Sequence, residues 1–211
     1  MCKTEPVLQE EYKGYIVKVL IDDSGVDSPR DWSNLGHLVC FHRRDNYGDK
    51  HEFDTPADLE EFFKEHNVVK LPIYMYDHSG VALSTGRGYP FNDPWDAGQL
   101  GYIYATYEEI RKEYGVKHVT QSITLKVEKV LKGEVEVYSR YLNGEVYGWE
   151  VVTPEKRDEQ TNCVQEEDVV ESVWGYFDTP NEVLKEGKDH VDWLVAETAK
   201  KAELAKLEAV S

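Results

Sequence analysis

A chain of 211 residues that sets 24 Lys and Arg against 41 Asp and Glu carries a net charge of −17. Charge of that sign repels phosphate backbones and anionic membranes, which argues against direct nucleic-acid binding and for partners with a basic surface. Three cysteines, Cys2, Cys40 and Cys163, are odd in number and far apart, and no apolar run reaches the length of a membrane span or a leader, so the expectation is a reduced, cytoplasmic protein.

In chain order, residues 1–14 read as a tail. Tyr15 to Asp22 (YIVKVLID) alternates as a strand. Ser28-Pro29-Arg30-Asp31 supplies an N-cap, a first-turn proline and an acid, which predicts one helical turn to Leu35, stopped by Gly36. His37 to Arg43 (HLVCFHR) is apolar on both faces over its first half and reads as a buried strand. Thr55-Pro56-Ala57-Asp58 repeats the capping chemistry, and Leu59, Phe62 and Phe63 give residues 57–66 one apolar stripe. Leu71 to Tyr76 and Val81 to Thr85 pair as a hairpin around Asp77-His78-Ser79-Gly80, with Leu100 to Thr106 as a further strand. Glu108 to Tyr114 is a short helix ended by Gly115. From Ser122 to Leu142, the spacing of Ile123, Val127, Val130, Leu131, Tyr138, Tyr141 and Leu142 predicts an amphipathic helix closed by Asn143-Gly144.

Val146 to Val152 and Val169 to Phe177 read as a second hairpin joined by an acidic loop, and a terminal helix runs from Asp189 to Ala209. Strands and helices without a βαβ rhythm predict an α+β fold: a largely antiparallel sheet, several packed helices and a C-terminal helix. The expected division is a tail (1–14), an α+β domain (15–180) and a C-terminal helical appendage (181–211) through which copies could associate.

Few motifs carry chemistry. Asp77-His78-Ser79 has the letters of a catalytic triad, but neighbours on a turn point apart, so a turn is the expectation. Cys40 and His42 fall on one face of a strand, yet no second pair completes a zinc set, and no metal or other cofactor is expected. His42-Arg43-Arg44 is the densest basic spot and could hold an anion or neutralise Asp45 or Asp49. Thr85-Gly86-Arg87-Gly88 lacks the ending of a phosphate-binding loop. The loop that follows, rich in Gly, Pro, Asn and Asp, carries Arg87, Tyr89, Asp93, Trp95, Asp96 and Gln99, which are the candidate binding residues; no catalytic residue is assigned.

Ser28-Pro29-Arg30-Asp31-Trp32, Asn34-Leu35-Gly36, Val39-Cys40-Phe41-His42, Pro94-Trp95-Asp96-Ala97-Gly98-Gln99 and Gly101-Tyr102-Ile103-Tyr104 resemble a group of uncharacterised bacteriophage and mobile-element proteins. The resemblance spans about Gly25 to Trp149. It implies a setting in a bacterial cytoplasm, where acidic proteins that engage or inhibit a host factor, some by imitating DNA, are common. The functional expectation is therefore a non-enzymatic acidic binding protein for a host defence or nucleic-acid-binding factor. Under DNA mimicry the carboxylates from Asp54 to Glu65 and from Glu155 to Glu171 would stand at phosphate positions. The competing expectation is a small-molecule or nucleotide binder, sponge or enzyme, using Arg87, Asp93, Asp96, Gln99 and one of His42 and His78.

Overall fold

The computed structural model describes residues 5–77, 80–86, 97–154 and 168–208. The chain is α+β, with two four-stranded sheets in which every pairing is antiparallel. It divides into two compact units: residues 27–143 form one, and the two flanking stretches, 1–26 and 144–211, together form the other.

In the contiguous unit, strands β3 (His37–Cys40), β4 (Val68–Asp77), β5 (Val81–Thr85) and β6 (Ala97–Thr106) lie in the order β3-β6-β4-β5. Helices α1 (Pro56–Glu65), α2 (Tyr107–Tyr114) and α3 (Gln121–Leu142) complete it. Both shorter helices begin with a reciprocal capping box, Thr55 with Asp58 and Thr106 with Glu109, which satisfies two otherwise unpaired backbone N–H groups at each start. Val127, Leu131, Val135 and Tyr138 of α3 are buried with Leu38, Ile73, Ile103 and Ile110. The anticipated stripe holds except at Val130, which is 40% exposed, while Val135 takes the inward place that four-residue spacing from Leu131 requires. Gly101 sits opposite Cys40, where an added Cβ would lie 1.9 Å from the Val39 carbonyl oxygen, so only glycine lets β3 and β6 close at that point.

The other unit assembles β1 (Leu8–Tyr12), β2 (Tyr15–Ile21), β7 (Tyr147–Val152) and β8 (Val169–Tyr176) in the order β1-β2-β7-β8, with helix α4 (Pro180–Glu208). Here the expected division needs correction at both ends. Residues 8–12 are a strand rather than part of a tail: Lys13 and Gly14, both at positive φ (49° and 85°), make the tight turn that folds β1 onto β2. The run Gln9-Glu10-Glu11 hides this strand because those three side chains are exposed and only the end residues, Leu8 and Tyr12, pack on the core.

Helix α4 starts at Pro180, nine residues before the expected Asp189, where the Thr179 hydroxyl accepts from the Glu182 N–H. Its first half is core, not appendage: Val183, Leu184 and Val191 are buried with Val17, Val19, Trp149 and Val151. Gly187 lies so close to the sheet that a Cβ there would stand 2.5 Å from Val17 Cγ1. From Thr198 to Leu207 every side chain is exposed.

Candidate functional site

The motif Ser28 to Gly36 is built around one guanidinium. Arg30 reaches Asp49 through a two-pronged contact, Nε to Oδ1 at 2.8 Å and Nη2 to Oδ2 at 2.7 Å, donates from Nη1 to Glu134 at 3.2 Å, and donates from Nη2 to the Gly36 carbonyl at 2.6 Å. Its side chain is only 6% exposed. Both carboxylates are in turn engaged by backbone: Asp49 accepts from Leu38 N–H, and Glu134 from Leu35 and Gly36 N–H. With its charge and most of its donors matched, Arg30 has no free face for a ligand, and the cluster is a clasp between the first turn, the loop after β3, and α3.

That loop forms a pocket of about 710 Å³, lined by Phe41, Tyr47, His51 and Phe53 together with His42, Arg43, Asp45, Lys50 and Asp54. His51 Nε2 lies 3.3 Å from the Cys40 carbonyl oxygen, and its Nδ1 is buried with no hydrogen-bond partner among the described residues. With Asp49 committed to Arg30, the pocket sets Arg43 and Lys50 against Asp45 and Asp54, a balance that gives an anion no net pull.

β3 ends at Cys40, so the period-two rule does not extend to His42. His42 instead lies tilted against Tyr47 (centroids 5.2 Å, planes 55° apart), and its Nδ1 accepts from Asp45 N–H. Burial first, then the nearby Asp49 charge, pushes the Cys40 thiol up to about 12, against the opposing pull of Arg30. It is therefore a core thiol, not a nucleophile. Iodoacetamide at pH 8 is expected to leave Cys40 unlabelled in the native protein and to label it in urea, read by peptide mass spectrometry; rapid native labelling would contradict the packing.

A second pocket, about 390 Å³, includes His37 and Glu109. Burial pushes the Glu109 carboxyl up, but hydrogen bonds from the Thr106 hydroxyl, from His37 and from the Thr106 backbone N–H outweigh it and hold the group below the ordinary carboxylate range. Its oxygens are spent on capping α2 and on His37 Nε2 at 2.6 Å. Among the described residues, no group of three or more His, Cys, Asp or Glu is arranged to hold a metal ion, and no helix is long and apolar enough to cross a membrane.

Of the candidate binding residues, Arg87, Tyr89, Asp93, Trp95 and Asp96 lie outside the described residues, as do His78 and Ser79. Gln99 is described: it is exposed on β6, its Nε2 is 3.4 Å from the Gly101 carbonyl oxygen, and it borders a pocket of about 330 Å³ with Phe41, Glu60 and Tyr102.

Charge and exposed apolar surface point instead to the split unit. That unit holds 22 Asp and Glu against 10 Lys and Arg, net −12, while the contiguous unit holds 19 against 14, net −5. The same acidic unit exposes Val169, Val170, Val173 and Trp174 on β8, and Trp193 on α4. Trp174 lies across Gly148, where a Cβ would meet its ring at 2.2 Å. The sequence signal for this patch is present in Val169-Val170-Glu171-Ser172-Val173-Trp174: apolar residues on both faces of a strand beside an acidic loop. Comparisons of the chain with family models, with curated proteins and with solved structures give no match.

Proposed function

We propose that the protein is an acidic binding protein that engages a basic surface on a host protein and performs no chemistry of its own. The observation that carries this reading is the segregation of charge: the split unit bears −12 of the −17 and also presents aromatic and aliphatic side chains to solvent. Carboxylates there speed encounter with a basic partner, and Trp174 and Trp193 supply the kind of contact that dominates interface energetics. The resemblance to bacteriophage and mobile-element proteins supports a partner in a bacterial cytoplasm, with defence and nucleic-acid-binding proteins as the favoured class. DNA mimicry is the strict form of this reading and adds the requirement that duplex DNA compete.

The rival small-molecule reading places its site in the loop of Arg87, Asp93, Asp96 and Gln99, of which Gln99 borders a pocket of about 330 Å³ with Phe41, Glu60 and Tyr102.

The test is capture from a bacterial lysate at low and moderate salt, comparing the wild type with a variant carrying Glu171→Gln, Glu186→Gln, Asp189→Asn and Glu203→Gln, all exposed positions in the split unit. Expected is a basic protein retained at roughly 50 mM salt, released by roughly 200 mM and lost by the variant, whose melting curve matches the wild type. Retention indifferent to salt and to the four substitutions would reject the electrostatic reading. A retained small molecule without a protein would favour the rival.

A further inference from the structure

Strand edges are templates for pairing, and folded proteins cover or blunt them. Among the described residues, three of the four outer strands here are treated in that way. The Leu83 N–H of β5 is taken by the Ser139 hydroxyl of α3. β3 is closed by its own loop: Asp49 N–H donates to the Leu38 carbonyl, the Asp49 carboxylate accepts from Leu38 N–H, and Val39 bridges to Gly48. β1 carries Glu10 and Glu11, and α4 ties it down through Lys188 to Glu10 at 2.6 Å and Asp192 to Lys13 at 2.7 Å.

Among the described residues β8 is the least protected: it pairs with β7 on one side, and the two breaks in that register, between Tyr147 and Trp149 and between Val151 and Val152, are its only blunting device. It has no proline or lysine and a single charge, Glu171, in eight residues. Val169 is 56% exposed, Val170 40%, Val173 39% and Trp174 42%. A solvent-facing edge strand of this composition is the surface that proteins ordinarily avoid.

We propose that β8 is a docking edge that takes an extended, basic segment of another protein as a fifth strand of the sheet β1-β2-β7-β8. Backbone hydrogen bonds along β8 would supply register, while the exposed Val169, Val170, Val173 and Trp174, divided between the two faces of the sheet, flank the incoming strand. Charge selects the occupant: a second copy would bring another −12 against the first, whereas a Lys- or Arg-bearing segment meets an opposite field. The proposal rests on the acidic-binder reading and adds to it a place and a mode of binding.

The experiment uses the full chain with three synthetic probes: an octapeptide alternating Lys and Val, the same peptide N-methylated throughout, and a Lys₄Val₄ block peptide of equal composition. Affinity is measured by fluorescence anisotropy, and amide exchange over residues 169–176 is followed by mass spectrometry. The alternating peptide is expected to bind at least about ten-fold tighter than either control and to slow exchange within β8. Equal binding by all three peptides, without protection of β8, would leave the acidic-binder reading standing and overturn the docking edge. Absence of binding by every peptide at low salt would overturn both. Self-association seen by sedimentation, with β8 protected in the protein alone, would make a second copy the occupant and likewise overturn the proposal.

Discussion

Arg30→Ala is expected to destabilise the contiguous unit by about 3–5 kcal/mol, the cost of removing one member from a buried ionic cluster. The loss exceeds that of a surface ion pair because two carboxylates are stranded at once. Asp49 and Glu134, 23% and 12% exposed in their side chains, would be left with backbone donors alone to offset their charge. Arg30→Lys should recover little, since an ammonium cannot make the paired contact with Asp49 and still reach Glu134 and the Gly36 carbonyl. Urea denaturation of the single variants and of Arg30→Ala/Glu134→Gln reads this directly. Strong non-additivity is expected, because the second change removes a charge that the first has already stranded. A midpoint for Arg30→Ala within error of the wild type would mean that the cluster is not formed in solution.

Leu131→Ala should cost about 2–5 kcal/mol, through lost apolar burial and the cavity left behind. Leu131 is fully buried at the centre of α3, and its Cδ2 approaches Gly36 so closely that a Cβ on that glycine would stand 2.6 Å away. The two positions therefore share one volume. Gly36→Ala alone overpacks against Leu131 and Ile103, whereas Gly36→Ala/Leu131→Ala refills part of the cavity, so the double variant is expected to melt above the sum of its parts. Thermal unfolding of the three proteins checks this. An unchanged melting temperature for Leu131→Ala would show that the stripe is not core.

These two residues mark what the sequence makes legible and what it does not. Leu131 declares itself by its spacing from Val127 and Tyr138, as does the capping pair at Thr55, because each signal is local. Arg30 and Glu134 lie 104 positions apart, and nothing in either neighbourhood points to the other. The start of α4 is signalled locally by Thr179-Pro180, but the packing of its first half is not. Gly187 looks like a helix breaker until Val17 and Trp149 are seen pressing against it, a reason supplied by the far end of the chain. The loop around Trp95 stands out in the sequence by its odd composition, and most of it lies outside the described residues. The apolar residues of β8 were legible as a strand. Its edge position was not, since the order of strands in a sheet is set by tertiary pairing.

The pairing of β2 with β7 has a consequence for biosynthesis. Ile21 lies opposite Tyr147, so strands that are neighbours in the sheet leave the ribosome with the whole of residues 27–143 between them. At about 5–20 residues per second, the β1–β2 hairpin waits roughly 6–25 s for its partner, and an isolated hairpin is marginal in water. The inserted unit is contiguous and can close during that interval. Meanwhile Val17 and Val19, buried in the folded protein, have neither Trp149 nor Val183 to pack against. Joining Ile21 to Tyr147 by a short turn would convert that long wait into a local hairpin closure on the microsecond scale.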